Sequence, residues 1–138
     1  MADQFSISVD TRQVVGRFRK LSIKVGDTRQ PLEAFGEALL VSTDARWLKQ
    51  IDPAGRAWKP LALSTIKRKQ ALGQPLSILR ATDRLRSSMR YRVGNGSLQF
   101  GTNVGYGPRV AADRQFVGFS SEDIELGLRI LMDHIKKP

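Results

Sequence analysis

His134 is the single histidine of the chain and falls in the last turn of a predicted helix. A lone histidine there more often complements the negative end of the helix dipole than shuttles protons or binds a metal. The chain has no cysteine, which removes thiolate nucleophiles, thiolate metal sites and disulfides together. No histidine and carboxylate cluster has metal-ligand spacing, and no Gly-x-Ser-x-Gly elbow presents a serine nucleophile. Gly101, Gly105 and Gly107 lie close together, but no Lys-Ser or Lys-Thr pair follows them as a phosphate-binding loop requires. They read as loop glycines at a strand end. Glu122 and Asp123 adjoin at the start of a predicted helix, where negative charge is stabilising in its own right. The pattern points away from an enzyme, with no cofactor and no metal expected.

The charge is more informative. Lys and Arg number 23 against 13 Asp and Glu, a formal +10. Such an excess favours anionic partners: nucleic acid, an acidic protein surface or acidic lipid. The cations fall into three groups: Arg17, Arg19 and Lys20; Lys67, Arg68 and Lys69; and Arg80, Arg84, Arg86, Arg90 and Arg92. In the third, Arg84, Arg86, Arg90 and Arg92 straddle a short helix and a strand with Tyr91 among them, and a basic strand carrying an aromatic can track a phosphate backbone. Strand alternation puts Arg90 and Arg92 on one face and Met89, Tyr91 and Val93 on the other, so no single basic stripe forms. No helix-turn-helix, zinc-finger or RNA-recognition signature is present. These arginines are therefore expected to give, at most, weak and sequence-independent DNA binding that falls steeply with salt. The plainer alternative is that they are solvated faces.

The elements that would position these residues are legible in part. With 138 residues, 41% of them hydrophobic, the chain suits one domain, residues 1–138, with a real core. Met1-Ala2-Asp3-Gln4 is polar with no apolar run behind it, so a secretory signal is not expected. Apolar stretches fall far short of the ~18 residues of a membrane helix, so no membrane partner is expected. Phe5, Ile7 and Val9 alternate as a strand would. Asp10 or Thr11 can cap a helix carrying Val14, Val15, Phe18 and Leu21 on one stripe.

After a break at Gly26-Asp27-Thr28, Pro31 suits the first position of a helix running to about Gln50. Leu32, Phe35, Leu39, Leu40, Thr43 and Trp47 share one face of it. Val41 and Leu48 point nearly the opposite way, which means either a helix buried on two sides within its own domain or a face that meets another subunit. Asp52 to Gly55 is a turn. Trp58 follows, its direction set by that turn and by Pro60, and it is expected to be a structural anchor together with Pro60 and Leu61.

Ser64 would cap a short basic helix to Ala71, and Thr82 another through Leu85 and Ser88. Met89 to Val93 and Leu98 to Gly101 alternate around Asn95-Gly96, the signature of a tight hairpin. Tyr106 to Asp113 reads as a loop and Gln115 to Gly118 as a short edge strand. Ser120 and Asp123 have capping-box spacing for a last helix whose stripe is Ile124, Leu128, Leu131 and Ile135. Leu126 and Ile130 fall off that stripe and, with Val41 and Leu48, are candidates for a subunit interface.

Four collinear segments resemble the Mu-type phage virion morphogenesis family, which also takes in tail-completion proteins: Asp52-Pro53-Ala54-Gly55-Arg56-Ala57-Trp58-Lys59-Pro60-Leu61; Ile78 to Ser88; Phe100-Gly101-Thr102-Asn103-Val104-Gly105-Tyr106; and Arg114-Gln115-Phe116-Val117-Gly118-Phe119-Ser120, leading into the last helix. The chain has Asp83 where the family usually has Gly, and a shorter stretch between Tyr106 and Arg114. The resemblance implies an α+β fold with a small antiparallel sheet against long helices. It implies a structural part of the neck or tail end, without catalytic residues or cofactor. It also implies a homo-oligomeric ring that meets tail-tube or head-connector proteins, with DNA passing non-specifically through it. Such a protein would be made in the host cytoplasm and end in the virion. The alternative reading of the same residues is a small basic nucleic-acid-binding protein.

Overall fold

Alternating side chains build a three-stranded antiparallel sheet in the computed structural model, which describes residues 5–14, 16–18, 28–74, 76, 84–94 and 96–136. The strands are β1 (Ile7–Asp10), β2 (Arg90–Gly94) and β3 (Ser97–Thr102), in the order β1-β3-β2. Val9 and Tyr91 both lie opposite Phe100, and Val93 lies opposite Leu98. One sheet face is therefore apolar, with Leu98 and Phe100 fully buried. The other face is polar: Gln99 donates to Ser8 Oγ (2.9 Å) and accepts from Arg92 Nη2 (2.7 Å), a tie across all three strands. The hairpin forms as expected. Gly96 has φ +68°, a conformation two-residue antiparallel turns require.

Helix α1 (Arg29–Lys49) begins two residues before Pro31, which still sits in the first turn, where its missing N–H costs no hydrogen bond. Leu32, Phe35, Leu39, Thr43 and Trp47 are buried along it. It packs against β2, β3 and the last helix. Gly36 allows the close approach to the sheet: a Cβ there would stand 2.5 Å from the Tyr91 ring. Further helices among the described residues are α2 (Leu63–Leu72), α3 (Arg84–Ser87), α4 (Gly107–Asp113) and α5 (Ser121–Lys136), and Arg17 and Phe18 are also helical. The fold is α+β, with one hydrophobic cluster shared by helices and sheet.

Several expectations are corrected. Helix α2 starts behind Ala62, and Ser64 makes no cap hydrogen bond. Tyr106 to Asp113 is mostly helix α4, because Pro108 stands in its first turn and Ala111 is buried. Gln115 to Gly118 pairs with no strand; the Gln115 carbonyl instead accepts a hydrogen bond from the Trp58 indole at 2.7 Å. After β1 the chain turns: Asp10 Oδ1 accepts from Gln13 N (3.1 Å), and Thr11 is tied to β3 through Leu98 N (3.1 Å). Phe18 is buried as its stripe requires. Val15, Arg19, Lys20, Leu21, the break at Gly26 and Asp27, Ile78 to Asp83 with Arg80 and the Thr82 cap, Asn95 and the Ile135 side chain lie outside the described residues.

Candidate interaction surface

The Trp58 segment is fastened to α1, to the end of α4 and to the stretch before α5. The Trp58 ring is 6% exposed and meets Trp47 edge to face, with centroids 5.5 Å apart. The Arg114 guanidinium donates to the carbonyls of Lys59 (2.8 Å) and Pro60 (2.9 Å). Lys59 pairs with Asp113, and that hydrogen bond holds the Asp113 carboxyl below its usual range. Leu61 is half-buried against the core, while Pro60 is exposed. Trp58 thus occupies core space, with Pro60 and Leu61 continuing the fastened strap.

A polar network lies beside it. Arg46, 8% exposed, donates through Nη1 to Asp123 Oδ2 (2.8 Å) and Ser42 Oγ (2.9 Å), and through Nη2 to the Gly118 carbonyl (3.2 Å). Asp123 also completes the expected capping box: Ser120 N donates to its Oδ2 (3.0 Å) and its own N–H donates to Ser120 Oγ (2.9 Å). The cap was legible in the sequence, but its buried cation was overlooked. The available signal was a charged residue lying on the apolar stripe of α1, between Thr43 and Trp47.

Each of the four arginines expected to meet an anionic partner makes a contact within the chain. Arg86 makes a two-point bond to Asp44, at 2.6 and 3.0 Å. Arg84 lies over the Tyr106 ring at 5.7 Å, and Arg92 is held by Gln99. Arg90 bends back to the Ser88 carbonyl at 3.4 Å. In the second basic group Lys69 is buried instead of solvated. Burial and the charges of Arg68 and Arg114 lower its pKa below the ordinary lysine value.

Across α1, the Tyr91 hydroxyl donates to Glu37 Oε2 at 2.6 Å. That hydrogen bond, with burial and the charges of Glu37 and Glu33, pushes the Tyr91 pKa from 10.0 up to about 12. Because the folded value is the higher one, the contribution of this contact to stability is complete below pH 10 and lost as pH rises toward about 12. Spectroscopic titration of the folded protein should show one tyrosine ionising late. Tyr91→Phe should remove that late phase; a late phase that survives the substitution would refute the assignment.

The off-stripe apolar residues divide. On α1, Val41 is 72% exposed and Leu48 59% exposed. On α5, Leu126 and Ile130 are half-buried, and Ile130 packs on the chain's own core. Beside Val41 a groove of about 340 Å³ opens between α1 and α3, with Leu40, Trp47 and Met89 in its walls and the Asp44–Arg86 pair across it. Its lining is mixed: Leu40, Val41, Trp47 and Met89 are apolar, and Thr43, Asp44, Arg86 and Ser87 are polar. Among the described residues no group of three or more His, Cys, Asp or Glu could hold a metal, and no helix is long and apolar enough to cross a membrane.

The chain is a small α+β scaffold whose buried polar cluster ties its own elements together and whose exposed large apolar residues include Val41 and Leu48 on α1 and Leu63 and Leu72 on α2. The chain belongs to the phage virion morphogenesis family, whose family model matches residues 9–136, nearly its whole length. No curated protein and no solved structure matches it. Its role is in phage assembly, structural in kind and associated with the virion.

Proposed function

We propose that the protein completes the tail, or joins it to the head, as a homo-oligomeric ring at the neck or tail end. Tail-tube or head-connector proteins are its neighbours, and DNA passes through the ring without being read. It is made in the host cytoplasm and finishes in the virion. The observation that carries this reading is the outward pair Val41 and Leu48 on the longest helix, in a chain of a virion morphogenesis family. An isolated chain gains nothing by exposing two large aliphatic side chains seven residues apart on one helix side. Burying each at a contact is worth about 1.5–3 kcal/mol. Head-to-tail contacts between identical copies close into a ring when the rotation between them allows it. The +10 charge opposes association at low salt, so assembly should be favoured by moderate salt or by a partner end that nucleates it. The internal engagements of Arg84, Arg86, Arg90 and Arg92 favour this reading over that of a free DNA-binding protein.

The test is particle assembly. Val41→Asp with Leu48→Asp should leave a folded chain, since both side chains are exposed, yet one that cannot complete particles in a complementation assay. Full yield of infectious particles from the double variant would show that this face makes no required contact.

A further inference from the structure

A ring of identical copies needs a second face to meet the outer face of α1, and α2 has the features of one. Helix α2 buries only Lys69, and among the described residues no other helix or strand makes an extensive contact with it. A ten-residue helix is marginal by itself in water and gains most of its stability from packing. Yet Leu63 at its start is 66% exposed and Leu72 at its end 63% exposed, with exposed Lys67 and Arg68 between them. Leu63 and Lys67 are four residues apart and share a side.

The outer side of α1 is complementary. Glu37, Val41 and Leu48 fall at helical spacings of four and seven and are all exposed, with Glu33 one turn before Glu37. Exposed Glu33 and Glu37 place two carboxylates at this end of α1, with Glu33 3.8 Å from Arg29, and exposed Lys67 and Arg68 place two cations on α2. The groove beside Val41 is bounded by Leu40, Trp47 and Met89, giving an aliphatic side chain a place to enter.

We propose that α2 of one copy docks on the outer face of α1 of the next. Leu63 packs on Val41 at the groove, and Lys67 and Arg68 face Glu37 and Glu33. Pairing Leu63 with Val41 and Lys67 with Glu37 sets the two helices antiparallel. The contact joins different faces of the two copies, so it propagates head to tail and leaves no symmetric dimer. This assignment rests on the ring reading and names the surfaces that build it.

The absence of cysteine makes cross-linking clean. Full-length chains carrying Val41→Cys, Leu63→Cys, or both are oxidised at moderate salt and separated under denaturing, non-reducing conditions. The double variant should give a ladder of covalent multimers. A mixture of the single variants should give a cross-linked pair, and each single variant alone should stay largely uncoupled. In sedimentation, Lys67→Glu with Arg68→Glu, and separately Glu33→Lys with Glu37→Lys, should each weaken self-association at least tenfold. All four together should restore it, which a misfolded chain could not do. Efficient coupling of Val41→Cys alone would mean a symmetric α1 contact and overturn the proposal. If the wild-type chain oligomerises, but the double cysteine variant gives no ladder and the charge reversals change nothing, the α1–α2 contact is overturned and the ring reading stands. A single copy both in solution and in assembled particles would overturn both.

Discussion

Trp58→Ala should lower stability by about 3–5 kcal/mol, the cost of emptying a large buried aromatic site. Three contacts are lost together. The ring is 6% exposed, stands edge to face on Trp47, and its indole N–H donates to the Gln115 carbonyl at 2.7 Å. The edge-to-face contact accounts for about 0.5–1.5 kcal/mol. The hydrogen bond ties the strap before α2 to the stretch before α5. Trp58→Phe separates the terms: most of the apolar volume stays, and the loss should fall to about 1–3 kcal/mol because the Gln115 carbonyl is left without its donor. Urea unfolding of the three proteins gives the comparison. An alanine variant with the wild-type midpoint would show that the tryptophan is not an anchor.

The second large effect is expected at the Arg46–Asp123 pair. Asp123→Ala leaves a guanidinium that is 8% exposed without its counter-charge, and such losses run to about 3–5 kcal/mol. The same change removes one half of the reciprocal cap of α5: the Ser120 N–H loses its acceptor at Asp123 Oδ2, while the backbone N–H of residue 123 still donates to Ser120 Oγ. Replacing the whole pair by Arg46→Met with Asp123→Leu should recover most of the loss, because a buried ion pair repays little more than its own desolvation. The Ser120 N–H still lacks its carboxylate acceptor in the double variant, so a loss of about 0.5–1.5 kcal/mol should persist. Denaturant midpoints of the two single variants and the double variant form the test. If the double variant is no more stable than Asp123→Ala alone, the unpaired cation is not the source of the cost.

Between them these sites separate what local sequence dictates from what packing dictates. The hairpin around Asn95-Gly96, the cap at Ser120, the buried stripe of α1 and the removal of cysteine chemistry all follow from residues close in the chain. Turn conformation, capping and helical period depend on neighbours within a few positions. The collinear segments around Trp58, Arg84, Phe100 and Phe116 carried the family resemblance, and the family match over residues 9–136 agrees with it. Where local signals compete, the sequence reading failed. Tyr106 to Asp113 reads as a loop from its glycines, yet Pro108 starts a helix once Ala111 has a core to pack on. Phe116 and Val117 read as a strand, but Trp58 and Arg114 take the neighbouring backbone, and no ladder forms.

Charge shows the same division. The sequence alone determined that the protein is strongly basic. Only the tertiary structure decided which cations are engaged. Arg46 and Lys69 lie inside, Arg86 is clamped by an aspartate 42 residues away, and Arg114 holds the carbonyls of the Trp58 strap. It also decided that Val41 and Leu48 are exposed while Ile130 is half-buried against the core. Helical period gives an angle around an axis, and only the neighbours packed on that axis determine whether the angle points to core or to solvent.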